Sequence, residues 1–517
     1  MNKKPVVWSI GGSDCSSGSG CQADILVCRD FDVHAATILT AVTAQNAKSV
    51  FKVSYCDPES IRSQIEALTK TLPPMVVKLG LLGTQTTIAI IAAYLQRYSG
   101  IVICDPVLNS TSGVSLNQSE IIDPLIKMIF PRLDLLTPNI PEAEMLINSN
   151  RKIDSLEEMS QAARELLKYG VGAVLLKGGH LHHEDAYDFF TNGKEEFWLV
   201  HSKINGINVR GTGCALSSAI SSALALGYSL NDALVIAKMY IQQGIRNHFK
   251  INTNILLGRN GFPQNAIDFP WITQKTGISR VPFLNCGALS FYPIVHTAEW
   301  VKHLLSWGVR TIQLRIKNDK LFVIRETIIE SIRLAREYQA KLFINDYWQL
   351  AIEAGAYGVH LGQEDLETTD VSAIHEAGLR LGISTHSLYE LARANAIRPS
   401  YIAFGPIYQT TSKPMLLPRG LSWLRYWCKI SPYPVVAIGG INLKRLEAIL
   451  ASGAKNVSVI SAVTKSKMPK KPSFPSYISW WILLRLICRS GIRVRNKLLT
   501  TLIKICIPKN LENLVLY

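Results

Sequence analysis

Two kinds of apolar pattern alternate along this chain. Val6–Ile10, Val33–Thr40, Met75–Gly80, Ile101–Val107, Leu133–Asn139 and Ala173–His180 are short and apolar almost throughout. Pro58–Leu72 and Thr86–Arg97 instead carry apolar residues at helical spacing. Strands apolar on both faces, separated by helices, predict a parallel sheet covered on both sides. The second half repeats the alternation in shorter units. Strands are predicted at 290–295, 311–317, 341–346, 358–362, 381–384, 401–405, 435–439 and 457–460, with helices at 298–306, 321–339 and 347–354. Eight such units predict a compact (β/α)8 barrel, with an open doubly wound sheet as the alternative. Between the halves, 252–282 loses its period and crowds Asn, Gly and Pro, which predicts a linker.

Composition adds limits. At 517 residues the chain has room for two to four domains. It is 48% hydrophobic and 18% charged, and no apolar run reaches the roughly 18–20 residues that span a bilayer. Val6–Ile10 runs straight into Gly11-Gly12, which predicts a strand and turn rather than a signal peptide. Ten scattered cysteines without a C-x-x-C pair argue against a zinc site or disulfide framework and for a reducing cytoplasm. Residues 465–517 hold eleven Lys/Arg and one acid, so this tail supplies +10 of the net +16. The other 464 residues are only mildly basic, which excludes a global nucleic-acid footprint.

Chemistry-bearing residues collect where the apolar runs end. Gly11–Gly20, glycine- and serine-rich, lies between a strand and a helix, where a ligand can approach the backbone. Arg210-Gly211-Thr212-Gly213-Cys214 opens an apolar helix. Free amides there suit an anion, and the helix dipole favours a thiolate at Cys214. On its own this stretch reads equally well as a helix start with a small buried cysteine. Asp105, Asn139, Glu142 and Lys177 end other strands. A metal-holding acid pair (Asp105, Glu142), a cation for a phosphate (Lys177) and an amide cradle (Gly211–Cys214) are the parts of a phosphoryl-transfer site.

The order of Gly11-Gly12-Ser13-Asp14, Gln22-Ala23-Asp24, Thr43-Ala44-Gln45-Asn46, Lys78-Leu79-Gly80, Asp105-Pro106-Val107, Thr137–Glu142, Leu176–His180 and Gly211–Cys214 resembles the hydroxymethylpyrimidine/phosphomethylpyrimidine kinases. The resemblance covers about residues 5–250. It implies a ribokinase-like doubly wound sheet and two successive ATP-dependent phosphorylations of a pyrimidine alcohol. It also implies Cys214 as candidate base and Gln45, Asp24, Gly12 and Val107 around the pyrimidine. Arg210 stands where a His is common, and the first loop is richer in serine than usual.

In the second half, Gln313/Arg315/Lys317, Asn345/Asp346, Asp365, Ser384, 410–413, Gly439-Gly440 and Ile460-Ser461 fall at the strand ends. In a barrel that rim is the active face. Asp346 and Asp365 offer hard oxygen ligands, and the glycines a phosphate nest. Gln313–Lys317, Phe343–Trp348, Val359–Asp365, Gly382–His386, Gly405–Tyr408 and Ala437–Ile441 look like thiamine-phosphate synthase over about residues 285–464. That resemblance implies condensation of a pyrimidine pyrophosphate with a thiazole phosphate. Gln313, Leu314, Arg315, Ile316, Lys317, Asn345, Ser384 and Lys413 would hold the pyrimidine pyrophosphate. Thr410, Thr411, Ser412, Gly440, Ile460 and Ser461 would hold the thiazole phosphate, and Asp346 and Asp365 would bind Mg²⁺.

The expected organisation is a kinase over 1–252, a linker over 253–284, a synthase barrel over 285–464 and a divergent basic tail over 465–517. The tail reads either as a basic amphipathic helix on an anionic membrane or as an altered C-terminus. The expected activity is bifunctional thiamine biosynthesis, with small-molecule substrates, ATP as co-substrate, Mg²⁺ as cofactor, no nucleic acid and no membrane partner. Homo-oligomerisation is left open. A kinase for pyridoxal-type substrates with a degraded synthase, and a ligand-binding scaffold, are the alternatives.

Overall fold

The computed structural model describes residues 4–464 except Ala47, 110–115, Ser119, 149–151, Asn205, Asn208, Thr253, 277–280, Asn318 and 411–416. The tail at 465–517, and both expectations for it, lie outside the described residues. The chain divides into two compact units, Met1–Ile278 and Ser279–Tyr517.

In the first unit the strands are β1 (Val6–Asp14), β2 (His34–Gln45), β3 (Val50–Tyr55), β4 (Val76–Leu79), β5 (Ile101–Cys104), β6 (Leu135–Leu136), β7 (Val174–Lys177), β8 (Asp185–Thr191), β9 (Glu196–Ser202), β10 (Phe249–Ile251), β11 (Asn254–Leu256) and β12 (Trp271–Thr273). Ten of them form one sheet in the order β12-β9-β8-β7-β6-β5-β4-β1-β2-β3. The six from β7 to β2 are parallel, and antiparallel strands extend both edges. The parallel centre is the apolar set expected, because a strand with helices on both faces has no side left for water. Trp8, Ile10, Val77, Leu79, Val102, Leu136 and Leu176 are fully buried there. Trp8 stacks on Tyr94 at 5.2 Å and donates its indole N–H to Leu72 O at 2.7 Å.

Three expectations need correction. β1 continues through Gly11–Asp14, paired with β2 across a register shift at Gly11/Gly12, so the glycine-rich loop starts later than its composition suggests. The antiparallel edges were missed, since short half-exposed strands carry little periodicity. The expected linker belongs largely to the first unit. β12 pairs with β9, Phe269 and Ile272 are buried, and Arg246 grips the fully buried Asp268 carboxylate with two hydrogen bonds at 2.9 and 2.6 Å.

The second unit is a closed barrel of eight parallel strands: β13 (Phe291–Val295), β14 (Thr311–Leu314), β15 (Lys341–Asn345), β16 (Gly358–Leu361), β17 (Arg380–Thr385), β18 (Tyr401–Phe404), β19 (Val435–Ala437) and β20 (Asn456–Val459). Pairing of β13 with β20 closes it, and the open-sheet alternative falls. Several strands stop short of their expected ends, which leaves Arg315–Lys317, Asp346 and Gly439-Gly440 in the loops of the rim. Tyr292, Phe343 and Tyr401 pack together inside, with ring centroids 5.2 to 5.7 Å apart. Among the described residues no helix is long and apolar enough to cross a membrane.

Burial of Phe269 and Ile272 and the Arg246–Asp268 pair lead to a first prediction. A fragment ending after Thr276 should resist urea better than one ending after Asn252, by on the order of 3 kcal/mol or more. Equal denaturation midpoints would return these residues to the linker.

Candidate active sites

Parallel strands bring their C-terminal ends to one edge, and in the first unit that edge borders a cavity of about 510 Å³. All twelve residues expected at the first site line it: Gly12, Asp24, Gln45, Asp105, Val107, Asn139, Glu142, Lys177 and Gly211–Cys214. Gly211 caps the helix Thr212–Ala225 with φ +80°, and a Cβ there would stand 2.1 Å from Gly18 O. Only glycine lets these two loops meet. The Arg210 N–H donates to Ile255 O at 3.1 Å, so the β10–β11 hairpin braces the anion loop from behind.

The serine-rich loop has a local reason. Asp14 accepts from the N–H and hydroxyl of Ser16 and from those of Ser19, all at 2.8–2.9 Å. One carboxylate thus folds the loop. Ser19 Oγ lies 3.5 Å from Gln45 Nε2, and Gln45 is half-buried and lines the cavity.

Asp24 is a correction. Its residue is 2% exposed, and both oxygens are taken by the protein's own donors. Lys78 Nζ reaches Oδ2 at 2.8 Å, Ser9 Oγ reaches the same oxygen, and Ser218 Oγ reaches Oδ1 at 2.6 Å. Asp24 therefore ties β1, β4 and the Cys214 helix together beneath the cavity rather than reading a ligand edge. Burial alone would lower the Lys78 pKa, but Asp24, then Cys214 and Asp105, more than reverse this and hold it raised.

Cys214 is a second correction. A thiolate was expected at this helix start. Burial instead pushes the thiol up to about 12, with Lys78 opposing and Asp105 and Asp24 reinforcing. Desolvation of the charged form outweighs the favourable helix end.

Lys177 Nζ bonds Asp105 at 2.7 Å and would lie 3.3 Å from a Cβ on Gly213, so a cation sits against the anion loop. Burial raises the Asp105 pKa, but Lys177 and Lys78 outweigh it and hold the carboxyl below its usual range. Asn139 and Glu142 form a reciprocal helix cap. Asn139 N–H donates to Glu142 Oε2 at 2.8 Å, and Glu142 N–H donates to Asn139 Oδ1 at 2.9 Å. Burial pushes Glu142 up to about 7, against Lys177 and with Asp105. Among the described residues no group of three or more His, Cys, Asp or Glu is placed to hold a metal. With Asp105 neutralised and one Glu142 oxygen spent on the cap, this donor set fits Mg²⁺ less well than expected.

Sequence reasoning quoted Lys78 within a motif without giving it a role, and missed Ser218 and the buried Lys238–Asp188 ion pair at the cavity wall. A lone charge inside an apolar run was the available signal for both lysines.

In the second unit every described candidate lies at the C-terminal end of a strand or just past it. Gln313 and Leu314 end β14, followed by Arg315, Ile316 and Lys317; Asn345 ends β15, with Asp346 next. Asp365 follows β16, Ser384 is on β17, Thr410 follows β18, Gly440 follows β19, and Ile460-Ser461 follow β20. Thr411, Ser412 and Lys413 lie outside the described residues. The Leu314 and Ile316 side chains are buried, which leaves their backbone as the part available to a ligand.

Asp346 takes φ +67°, a conformation uncommon for a residue with a side chain and one that collects at functional sites. Partial burial and then the Asp365 carboxylate push it up to about 6, with Arg315 and Lys317 opposing. A hard carboxylate pushed up by a neighbouring one fits a divalent cation such as Mg²⁺, with ligand oxygens and water completing the shell. Gly440 takes φ +62°, and a Cβ there would meet Gln409 O at 2.5 Å. Arg445, which sequence reasoning missed, donates to Gly440 O and lies 4.4 Å over the Tyr408 ring.

Two family models match the chain: phosphomethylpyrimidine kinase over residues 14–257 and thiamine monophosphate synthase over residues 291–463. The chloroplastic thiamine biosynthetic bifunctional enzyme of Arabidopsis thaliana is 31% identical over 478 residues, covering 90% of each chain. A thiamine-phosphate synthase of Yersinia pseudotuberculosis is 54% identical over 178 residues, which are 34% of this chain and 83% of that one. A solved phosphomethylpyrimidine kinase from Clostridium difficile is 37% identical, spans 46% of this chain and 98% of its own, and superposes with a TM-score of 0.41.

Two predictions come from these contacts. Lys78→Met leaves the Asp24 carboxylate buried and unpaired, so it should cost about 3–5 kcal/mol in urea denaturation. Adding Asp24→Asn should recover part of the loss. Glu142, raised from 4.5 to about 7, binds its proton more tightly in the folded than in the unfolded chain. Stability is then full below pH 4.5 and falls as pH rises toward 7. Glu142→Gln keeps the cap and cannot ionise. Its stability relative to the parent should grow across that window by up to about 3 kcal/mol, whereas a flat difference would contradict the shift.

Proposed function

The chain belongs to the bifunctional thiamine biosynthetic enzymes, and from that premise we propose that its two units catalyse consecutive reactions. The first phosphorylates 4-amino-5-hydroxymethyl-2-methylpyrimidine with ATP, giving the monophosphate and then the pyrophosphate. The second joins that pyrophosphate to thiazole phosphate and releases pyrophosphate. The observation that carries this reading is the pair of sites in one chain. One cavity is lined by the anion loop, Lys177 and Gln45, and one barrel rim carries Arg315, Lys317 and the Asp346–Asp365 pair.

In the first unit the Gly211–Cys214 amides and Lys177 meet the charge that develops on the transferred phosphoryl group. Gln45 offers an amide to the aminopyrimidine edge. Cys214 is the contact for the alcohol that loses its proton. Only its thiolate can accept that proton, becoming the thiol, and the nearby Lys78 is the cation that opposes burial and favours the thiolate before the transfer.

In the second unit Arg315 and Lys317 hold the pyrophosphate end of the substrate, and Asn345 and Ser384 orient it. Asp346 and Asp365 would hold Mg²⁺, which supplies charge neutralisation for the departing pyrophosphate. The benzylic-type carbon of an electron-rich aminopyrimidine tolerates departure before attack. Alignment of the thiazole nitrogen then does most of the work. Gly440 and the Ile460-Ser461 amides receive the thiazole phosphate. A reducing compartment such as the cytoplasm suits the chain, whose eight described cysteines are free. The matched Arabidopsis relative is named as chloroplastic.

A coupled reaction with ATP, Mg²⁺, hydroxymethylpyrimidine and thiazole phosphate should give thiamine phosphate. Pyrimidine pyrophosphate without thiamine phosphate would remove the synthase reading and leave the kinase. Cys214→Ser should lower the phosphorylation rate by about 10²-fold or more; full retained rate would remove Cys214 from proton transfer.

A further inference from the structure

A file of polar side chains crosses the interior of the barrel. Gln313 Nε2 lies 3.2 Å from the Tyr292 hydroxyl, which lies 2.7 Å from the Tyr401 hydroxyl. Tyr401 lies 2.8 Å from Nδ1 of His360, whose Nε2 lies 2.9 Å from Ser384 Oγ. Gln313, Tyr292, Tyr401 and His360 are 2%, 1%, 0% and 6% exposed. A buried chain of this kind is stable only when its hydrogens are used in a consistent order.

That order can be deduced. A tyrosine hydroxyl has one hydrogen to give. Tyr292 receives an N–H from Gln313, so its own hydrogen goes to Tyr401. Tyr401 then gives its hydrogen to Nδ1 of His360. A ring that accepts at Nδ1 carries its proton at Nε2 and donates it to Ser384. The serine hydrogen is left over, free to donate to an anion, and Gln313, whose amide N–H side also faces Tyr401, keeps its carbonyl oxygen. If His360 donated to Tyr401 instead, Tyr401 would donate to Tyr292. The Tyr292 hydrogen would then need the Gln313 amide reversed. That reversed order commits the serine hydrogen to His360 and takes the Gln313 carbonyl from the ligand.

We propose that Tyr292, Tyr401 and His360 are positioning residues of the second site, forming one hydrogen-bond wire that sets the Gln313 amide and the Ser384 hydroxyl together. The wire serves a substrate with a neutral aminopyrimidine at one end and a pyrophosphate at the other: Gln313 presents an acceptor to the amino group, and Ser384 presents a donor to the anion. This rests on the synthase reading for what the two ends touch. The polarity of the wire does not.

The test uses the full chain labelled with ¹⁵N-histidine, with the His360 signals assigned by comparison with His360→Gln. Long-range ¹⁵N–¹H correlation should show a neutral ring protonated at Nε2. Protonation at Nδ1, or at both nitrogens, overturns the proposal. Tyr401→Phe keeps the ring and breaks the wire. It should mix the two His360 tautomers and lower kcat/KM for separately supplied pyrimidine pyrophosphate about tenfold. KM for thiazole phosphate and phosphorylation by the first unit should not move. An unchanged tautomer with kcat/KM within about twofold overturns the proposal. Should Tyr401→Phe fail to fold, Tyr292→Phe interrupts the wire one bond earlier, with the same expectations. The resonance measurement needs no turnover. A parent protein that makes no thiamine phosphate would remove the synthase reading while the tautomer still decides the wire.

Discussion

Strands that run parallel deliver their last residues to the same edge, and both units depend on that constraint. A residue at the end of a buried apolar strand is the first that can be polar, and all such residues meet in one place. In the first unit this gathers Asp105, Lys177 and Gln45 around one cavity with the Gly211 loop. In the barrel it gathers Arg315, Asp346, Ser384 and Gly440 on one rim.

The two sites manage charge differently. The first buries its carboxylates beside lysines, with Asp24 on Lys78, Asp105 on Lys177 and Asp188 on Lys238. Such pairs add little net stability, but removing one partner is expensive, so they hold geometry firmly. The Gly211–Cys214 loop and Lys177 line the cavity beside them. The rim of the barrel keeps Asp346 and Asp365 beside each other, and the pull of Arg315 and Lys317 does not offset burial and the like charge. That like-charged pair is relieved by a divalent cation or by a proton. One site is thus organised by internal cations, and the other leaves a place for an external one.

Each site has a layer of polar groups that bond to the protein itself. The Asp24 node fixes the Cys214 helix through Ser218, and the Tyr292–Tyr401–His360 file lies between Gln313 and Ser384. Both layers join residues far apart in the chain, with Ser218 194 positions from Asp24 and Tyr401 109 from Tyr292.

The sequence by itself determined the strand order of chemistry: which apolar runs become buried strands, and which polar residues end them. Arg315, Asp346, Lys177 and Gly211 were legible because a polar residue closing an apolar run is a local signal. Periodicity carried less at the edges, where β12 is only three residues long and reads as linker. The tertiary structure alone decided what each polar group spends its hydrogen bonds on. Asp24 looked like a ligand reader until three donors closed on it, and Glu142 looked like a metal ligand until its oxygen capped Asn139. Cys214 looked like a thiolate until burial raised its pKa. Composition names the groups a residue brings, but desolvation and long-range partners set their charge and availability, and those exist only once the chain has folded.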